Sequence, residues 1–503
     1  MPDSTLSTSP ATAALRVGLA ELANLIDAKA WPEALEKGAT LSRAHPGHPL
    51  VLHLLGVAKR ESGDLRGALD PLSRAVAIQP DNSLFQLDLG ILLKKRGARA
   101  PAMERFNEAI RLDPKTAIAR FHLGDLHMDQ GNIPEAIDCF TSATRLKPDL
   151  VEGWINLGLC QKSRNQPGEA LKSFDEALAR QPDHAEAHVN RAMALLMLEA
   201  YPAGWQAFEW RFKLDRPSLF APPPPVPRWH GDPLENKTIL LLGEQGFGDM
   251  IQFIRFAKPL ADQGARVLAL VPAPLTRLFA QAPGLARVQA HPDFQEPIDY
   301  QIPLLSVPGP LDTRISTIPG AEGYLTAPRD PDPAWAPLLA GEGLKVGLVW
   351  EGKPLHANDP LRRRSCTLAD LAPLARVPGI RLFSLQKTDP ERPQPPVPEG
   401  LPITPLDRFL TDFAATATLM THLDRIITID TATAHLAGAL GRPVWTLLPR
   451  APDWRWGCER DTTPWYRSMR LVRQSNADSW SDPVRQLLAE LEHSTCQASP
   501  SPI

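Results

Sequence analysis

The chain has 503 residues, of which 43% are hydrophobic and 22% charged, and its formal net charge is -3. This length exceeds what one ordinary hydrophobic core supports, so we expect two or three globular domains. The charge gives no electrostatic reason to expect nucleic acid as a partner. Five scattered cysteines, without a Cys-x-x-Cys pair, argue against a disulfide framework and against a zinc knuckle.

The amino-terminal segment has no basic stretch followed by an apolar run, so a secretory signal is not expected. No run of about 18 apolar residues occurs, so the sequence predicts no helix that spans a membrane. The scattered cysteines also fit a reducing compartment. We therefore expect a cytoplasmic location.

A period of 34 residues dominates the N-terminal region. Five classes of position recur in phase over four units: Gly56, Gly90, Gly124 and Gly158; Ala68, Ala102, Ala136 and Ala170; Leu72, Phe106, Phe140 and Phe174; Ala75, Ala109, Ala143 and Ala177; Pro80, Pro114, Pro148 and Pro182. This is the pattern of tetratricopeptide repeats (TPRs), in which each helix–turn–helix buries its apolar face only against its neighbours. The sequence therefore predicts an α-solenoid in which proline ends each second helix.

We predict that this TPR array extends over residues 15–212, with a degraded first repeat at 15–48. The register fades after the fourth unit. The segment with Trp205, Trp210 and Arg211 is interpreted as a terminal helix pair packed on the next domain. Solenoids of this kind present a concave surface, so we expect a protein partner or acceptor on the TPR groove.

A proline-rich linker is predicted over residues 213–237. From residue 238 onward, apolar runs of strand length alternate with amphipathic stretches, which is typical of βα units and parallel sheets. The predicted strands are Ile239–Leu242, Val267–Val271, Lys345–Trp350, Arg381–Leu385, Arg425–Ile429 and Pro443–Leu448. A second proline-rich stretch divides this α/β region into a first lobe at 238–330 and a second, nucleotide-binding lobe at 331–492.

The first segment that suggests chemistry is 240–256, where a buried strand ends in a glycine-rich turn and Asp249 begins a helix. Gly246 and Gly248 let backbone N–H groups approach a ligand, and a helix N-terminus favours negative charge. The spacing matches neither the Walker phosphate loop nor the dinucleotide fingerprint. Two interpretations of Asp249 stay open, a helix cap and a functional carboxylate.

A strand also begins the second segment, 345–365, and runs into a basic loop that includes Lys353, Arg362 and Arg364. Consecutive arginines after a strand can bind a diphosphate through paired hydrogen bonds. We therefore regard these three side chains as candidate ligands of a donor phosphate. The alternative is a basic loop that is merely solvated.

In the third segment, 425–449, a strand is followed by Asp430, Thr431, Thr433 and His435 and then by a helix of small residues. Asp430 and Thr431 are placed to cap this helix while its first backbone N–H groups stay exposed, and His435 lies one turn further in. A phosphate or a ribose fits such a cluster. An ordinary helix cap with a buried histidine is the alternative.

Together these motifs resemble the ADP-heptose:lipopolysaccharide heptosyltransferase family, in the variant that is fused to TPRs. That family has Gly-Asp after the first strand of its first lobe, matched by Gly248-Asp249, and Asp-Thr-Gly-x-x-His in its second lobe, matched by Asp430 to His435. Ala432 stands where the family has its glycine. The resemblance implies two Rossmann-like lobes in the glycosyltransferase B arrangement.

By this resemblance Asp249 would be the general base that deprotonates an acceptor hydroxyl. Thr431, Thr433 and His435 would contact the donor diphosphate, and the basic loop would compensate the charge of the leaving group. The scheme needs no metal and no cofactor, and the sequence has no Asp-x-Asp signature.

The expected function is therefore transfer of a sugar from a nucleotide-diphospho-sugar to a protein or envelope-polysaccharide acceptor. TPRs ahead of two such lobes are also similar in layout to the protein O-GlcNAc transferases, which suggests a protein acceptor held by the TPR groove. The alternative is a TPR scaffold with an inactive transferase-like domain. An aromatic segment with Trp454, Trp456, Trp465 and Tyr466 either stacks on a sugar or packs the C-terminal helix over the cleft.

Overall fold

The computed structural model describes residues 10–214, 219–329, 334–352, 364–388, 397–476 and 479–498. The described residues before 214 form helices and no strand. These helices are α1 (Pro10–Asp27), α2 (Trp31–Ala44), α3 (Pro49–Glu61), α4 (Leu69–Ile78), α5 (Ser83–Lys95), α6 (Arg99–Leu112), α7 (Ala117–Asp129), α8 (Ile133–Leu146), α9 (Val151–Ser163), α10 (Pro167–Arg180), α11 (Ala185–Met197) and α12 (Tyr201–Phe208). A 3-10 turn, Glu209–Lys213, follows α12.

Packing within each repeat follows the 34-residue pattern of the sequence. The periodic alanines and the periodic leucine and phenylalanines are fully buried. Gly90 of α5 faces Phe106 of α6 so closely that an added Cβ would lie 2.7 Å from the phenylalanine ring. Helices α4 and α6 end at Ile78 and Leu112, two residues before the periodic prolines. The predicted solenoid, including a helix pair in the degraded first repeat, is confirmed.

After residue 237 the chain alternates between strands and short helices. The elements up to residue 303 are β1 (Thr238–Leu242), α13 (Phe247–Phe253), α14 (Ala257–Ala261), β2 (Arg266–Leu270), α15 (Ala273–Phe279), β3 (Leu285–Gln289) and β4 (Tyr300–Pro303). Those that follow are α16 (Ala336–Leu339), β5 (Leu344–Val349), α17 (Leu368–Leu371), β6 (Ile380–Ser384), β7 (Ile403–Pro405), α18 (Phe413–Met420), β8 (Arg425–Ile429), α19 (Ala432–Ala439), β9 (Val444–Leu448), β10 (Thr462–Thr463), β11 (Tyr466–Arg473) and α20 (Ser481–Ala498).

Two separate sheets result. The first has the order β3-β2-β1-β4 and the second the order β10-β11-β9-β8-β5-β6-β7. All neighbouring strands are parallel except β10 and β11. Each sheet therefore has an edge where carboxyl ends of strands meet, which is where open α/β sheets bind ligands. The predicted order, an α-solenoid followed by two parallel α/β lobes, is confirmed.

The chain forms two compact units. The first contains the residues up to Gln161 together with Lys172–Pro182, and the second contains Lys162–Leu171 together with the residues from Asp183 onward. The second unit thus includes α11 and α12 as well as both sheets.

Within this second unit, the terminal helix pair α11–α12 packs on the α/β lobes, as predicted. The Trp205 indole N–H donates to the Thr313 carbonyl oxygen at 3.1 Å. Arg211, in the 3-10 turn after α12, donates from Nη2 to Glu244 Oε1 at 2.8 Å and from Nε to Oε2 at 3.1 Å. Glu244 follows β1 and is fully buried. The terminal helix pair and the first lobe therefore share one core.

The described part of the proline-rich segment, 219–237, also contributes to this core. Its Trp229 is only 1% exposed. The Trp229 backbone N–H donates to the Gln301 carbonyl of β4 at 2.9 Å, and the Gln301 N–H donates to the Pro227 carbonyl at 2.9 Å. The segment thus lies along the edge of the first sheet.

Candidate functional site

Two strand-to-helix turns, one from each sheet, lie against each other, and the junction between them is called the cleft below. Gly248 in the first turn of α13 lies against the first turn of α19. A Cβ added at Gly248 would be 2.8 Å from Cδ2 of His435 and 3.4 Å from Cα of Ala432. Only glycine allows so close an approach without a shift of one helix. The structure therefore brings together two motifs that the sequence could only place separately.

The turn that leads into α13 holds Asp249 by both oxygens. Gln245 adopts a left-handed backbone conformation with φ of 60°. The Asp249 Oδ2 atom accepts a hydrogen bond from the Gly246 backbone N–H at 2.9 Å, and Oδ1 accepts one from Nη2 of Arg455. The Asp249 side chain is 21% exposed. Asp249 thus bonds back to the N–H of Gly246, the N-cap residue of α13, and it is also a partly exposed carboxylate.

The turn that leads into α19 leaves backbone donors available. Thr431 is the N-cap residue, but its side chain makes no capping bond and instead lies 3.2 Å from Thr428 Oγ1. The first backbone bond of the helix is from Ala434 N–H to the Thr431 carbonyl, at 3.0 Å. The N–H groups of Ala432 and Thr433 have no partner among the residues that the structure describes. Such a helix start attracts an anion.

His435 is buried one turn into α19, with 5% of its surface exposed. Its Nδ1 lies 2.9 Å from the Tyr466 hydroxyl, and its ring stacks on Trp456 at a centroid distance of 5.2 Å. Burial, and then the positive charges of Arg455 and Arg255, lower the pKa of His435 well below its ordinary value. The imidazole is therefore neutral, and Nε2 is the ring nitrogen that is not bonded to Tyr466.

Asp430 directly follows β8, which ends at Ile429. Burial and the negative charge of Asp453 raise the pKa of Asp430 to about 6, against the opposing effects of Trp456, Arg364 and Arg455. Arg364, which the sequence predicted as a donor ligand, thus lies near this carboxyl group. Lys353 and Arg362, from the same predicted basic loop, lie outside the described residues.

Arg455 is the residue of this cleft that the sequence did not predict. It belongs to the 3-10 turn Trp454–Trp456 after β9, and Asp453 caps that turn by accepting from the Arg455 N–H at 3.1 Å. The sequence signal for Arg455 is its position between two tryptophans, because a charged side chain that is buried in an aromatic segment needs a partner.

The aromatic side chains around Arg455 are core residues. Trp454, Trp456, Trp465 and Tyr466 are buried. The Trp454 ring lies 5.4 Å from that of Trp205 in α12 in an edge-to-face arrangement. Of the two interpretations of this segment, packing is the one that the structure shows, and its described ring partners include Trp205 of α12 rather than the C-terminal helix.

The described residues contain no group of three or more histidine, cysteine, aspartate or glutamate side chains that could hold a metal ion. None of their helices combines the length and apolar character needed to cross a membrane.

Comparison with protein families gives two matches. Residues 87–151 and 156–209 match the tetratricopeptide repeat, and residues 410–485 match glycosyltransferase family 9 (heptosyltransferase). The second match spans α18 to the start of α20 and therefore contains Asp430, His435 and Arg455. The chain thus combines TPRs with a segment of a heptosyltransferase-type domain, which confirms the resemblance found in the sequence.

A curated relative is protein FlbA of Caulobacter vibrioides, which is 29% identical over 338 residues. The alignment covers 60% of this chain and 54% of that protein, so the chain spans about half the length of this relative.

Among the solved structures, several resemble part of the chain. MamA is 22% identical over 32% of this chain and 93% of that chain, with a TM-score of 0.30. A tetratricopeptide repeat protein from Parabacteroides merdae is 19% identical over 41% of this chain and 81% of that chain, with a TM-score of 0.34.

Proposed function

We propose that the chain is a metal-independent glycosyltransferase that moves a sugar from a nucleotide-diphospho-sugar to a protein or envelope-polysaccharide acceptor. The observation that carries this proposal is the meeting of the α13 and α19 turns in one cleft, with Asp249 and His435 on its two sides. The family 9 match over residues 410–485 supports the same reaction class.

In this proposal the second lobe, 331–492, binds the donor. The N–H groups of Ala432 and Thr433, which have no partner within the described part of the chain, and the positive end of the α19 dipole favour the diphosphate. Glycosyl transfer leaves negative charge on the departing diphosphate, so donors fixed in advance stabilise the transition state more than the ground state. The proposed donor ligands are Gly246, Gly248, Lys353, Arg362, Arg364, Asp430, Thr431, Thr433 and His435.

The first lobe, 238–330, supplies the base. Each carboxylate oxygen accepts more than one hydrogen bond, so Asp249 can receive an acceptor proton while it stays bonded to Gly246 and Arg455. Its partial exposure lets a hydroxyl group reach it from the cleft. Asp249 is therefore the proposed general base.

The TPR array recruits the acceptor or another protein partner. Polar side chains run along the first helices of successive repeats. Arg60 Nη1 donates to Asp88 Oδ1 at 2.7 Å, Lys94 contacts Asp125, and Asn156 Nδ2 donates to Asp125 Oδ1 at 2.9 Å. A stripe of half-buried polar groups suits the backbone and polar side chains of an extended peptide.

Titration calorimetry with uridine, adenosine, guanosine and cytidine diphosphates and their hexose and heptose conjugates tests the donor site. We expect at least one of these to bind, and His435→Ala to weaken its binding by about 1–3 kcal/mol, the scale of one lost hydrogen bond to a charged group. His422→Ala is the matched control, because His422 is an exposed histidine of the same lobe. Equal affinities for the His435 and His422 variants would count against the site.

A non-catalytic TPR scaffold is the second candidate, and one observation favours it. Both oxygens of Asp249 are already bonded within the chain, as expected of a structural cap. The Asn side-chain oxygen can accept the same bond from the Gly246 N–H, whereas a neutral amide cannot act as a base. Once a donor and an acceptor are identified, the activity of Asp249→Asn separates the two candidates.

A further inference from the structure

We propose that Arg455 is a positioning residue that clamps Asp249 of the first lobe, and that the end of the repeat array, namely Asn165 in the turn after α9 and the terminal helix pair α11–α12, holds Arg455 in place. The inference rests on the proposed function only where it treats Asp249 as the base. The physical clamp can be measured without any transferase activity.

All three nitrogen atoms of the Arg455 guanidinium donate hydrogen bonds. Nη2 donates to Asp249 Oδ1, Nε donates to Gln252 Oε1, and Nη1 donates to Asp453 Oδ1 at 2.7 Å. Asp249 and Gln252 are three residues apart on α13, so they present one face to the same side chain. Arg455 of the second lobe thus donates hydrogen bonds to two side chains of α13, the first helix of the first lobe.

Neighbouring carboxylates stabilise the positive charge of Arg455. Its side chain is only 9% exposed. Burial opposes the positive charge, but Asp453, Asp249 and Asp430 outweigh that effect and raise the pKa of Arg455. A lysine would keep a charge here but lacks the planar fork that reaches three acceptors at once.

Without this clamp, the Asp249 side chain would keep only the bond from Oδ2 to the Gly246 N–H. Its Oδ1 atom would then have no fixed direction toward the cleft. Base catalysis requires the accepting atom within hydrogen-bond reach of the acceptor proton, so loss of orientation lowers turnover more than it lowers donor binding.

The loop that carries Arg455, residues 453–460, contacts parts of the repeat array that belong to the same compact unit. The Asn165 side-chain amide donates to the Cys458 carbonyl at 3.0 Å. Arg460 pairs with Glu199, between α11 and α12, at 2.6 Å. Together with the packing of Trp454 on α12, these contacts fix the loop from the side opposite Asp249.

The end of the repeat array is therefore part of the proposed catalytic site. It sets the direction of the Asp249 carboxylate through one loop and one arginine.

Hydrogen–deuterium exchange on the whole chain tests the clamp. We expect Arg455→Met to speed exchange in residues 246–253 by about 10–100-fold, the effect of losing hydrogen bonds to a charged group. Arg455→Lys should give an intermediate effect, and it serves if the methionine variant fails to fold. Arg467→Met is the matched control, since the Arg467 side chain is 75% exposed. Unchanged exchange at 246–253 in both Arg455 variants overturns the clamp.

Asn165→Gly tests the support from the repeat array. Asn165 has φ of 61°, which glycine adopts freely, so the change removes the amide without backbone strain. We expect faster exchange at 453–460 and a smaller increase at 246–253. Unchanged exchange at 453–460 overturns this half of the inference.

With an active donor–acceptor pair, Arg455→Met should lower kcat by about 10–100-fold at an unchanged KM for the donor. The double variant with Asp249→Asn should be no slower than Asp249→Asn alone, because both act on one step. Multiplied losses would show that Arg455 does not act through Asp249. Failure of all nucleotides to bind would refute the proposed function and leave the exchange results standing.

Discussion

Gly248→Ala tests the contact on which the candidate site depends. The added Cβ would lie 2.8 Å from Cδ2 of His435, a distance that real Cβ atoms essentially never show. The histidine cannot easily move away, because Tyr466 holds its Nδ1 at 2.9 Å and Trp456 stacks on its ring. The strain must therefore be relieved by separating α13 from α19.

Overpacking of a well-packed contact costs about 1–3 kcal/mol. In a unit of this size that corresponds to a loss of roughly 1–2 °C in Tm per kcal/mol. Separation of the helices also displaces the N–H groups of the α19 turn, so we expect weaker binding of the nucleoside diphosphate identified by calorimetry. Differential scanning calorimetry and titration calorimetry measure the two effects.

Gly168→Ala is the matched control. Gly168 lies in the first turn of α10, and a Cβ added there would meet no atom within 4 Å. Alanine is the better helix former by about 1 kcal/mol, so this variant should be as stable as the parent or slightly more so. If Gly248→Ala keeps the parent's Tm and nucleotide affinity, the close approach of the two turns has no functional weight and our reasoning about the site fails.

Three further predictions concern Asp249, Asp430 and the repeats. Asp249→Asn should keep donor affinity and lower turnover by about 10²–10⁴-fold, as measured by initial rates; near-parent turnover removes Asp249 from the mechanism. Because the pKa of Asp430 is raised to about 6 from 3.8, the folded state takes up a proton as the pH falls through 6 while the unfolded state does not. That proton stabilises the fold below about pH 6 and its contribution is lost above it, so Asp430→Asn should remove this part of the pH dependence in Tm measured between about pH 4 and 8. Phe140→Ala, at a fully buried repeat position, should destabilise the array by about 3–5 kcal/mol in chemical denaturation followed by circular dichroism, and a loss below about 1 kcal/mol would contradict the packing.

The helices and the inner strands follow from local patterns. The TPR period is repeated at several positions, and each of the six predicted strands is observed within about one residue at its ends. The strands β3, β4, β7, β10 and β11 were not predicted. Strand β3 is half exposed and β7 and β10 have only three and two residues, so neither burial nor length distinguishes these three strands from loops.

The candidate site was predicted only as separate pieces. The sequence identified Asp249 and His435, each next to a strand end, because such junctions have a local pattern. The contact between their turns and the clamp by Arg455 depend on tertiary packing. Arg455 lies 206 residues from Asp249 along the chain, and no spacing rule connects positions so far apart. Composition likewise identified the proline-rich segment but not the burial of Trp229 within it.

The buried pair of Arg211 and Glu244 has a consequence for how such a protein can be divided or recombined. A fragment that starts at Thr238 would retain Glu244 but lose Arg211. The buried carboxyl group of Glu244, whose pKa is already raised by burial, would then have no cationic partner. Breaking a buried pair in this way costs about 3–5 kcal/mol, and the surfaces that Trp205 and Trp229 cover would be laid open as well. The final helix pair must therefore be inherited together with the lobes. Asn165 also contacts the loop that carries Arg455, so we expect exchange of whole repeats to leave the cleft intact only upstream of that residue.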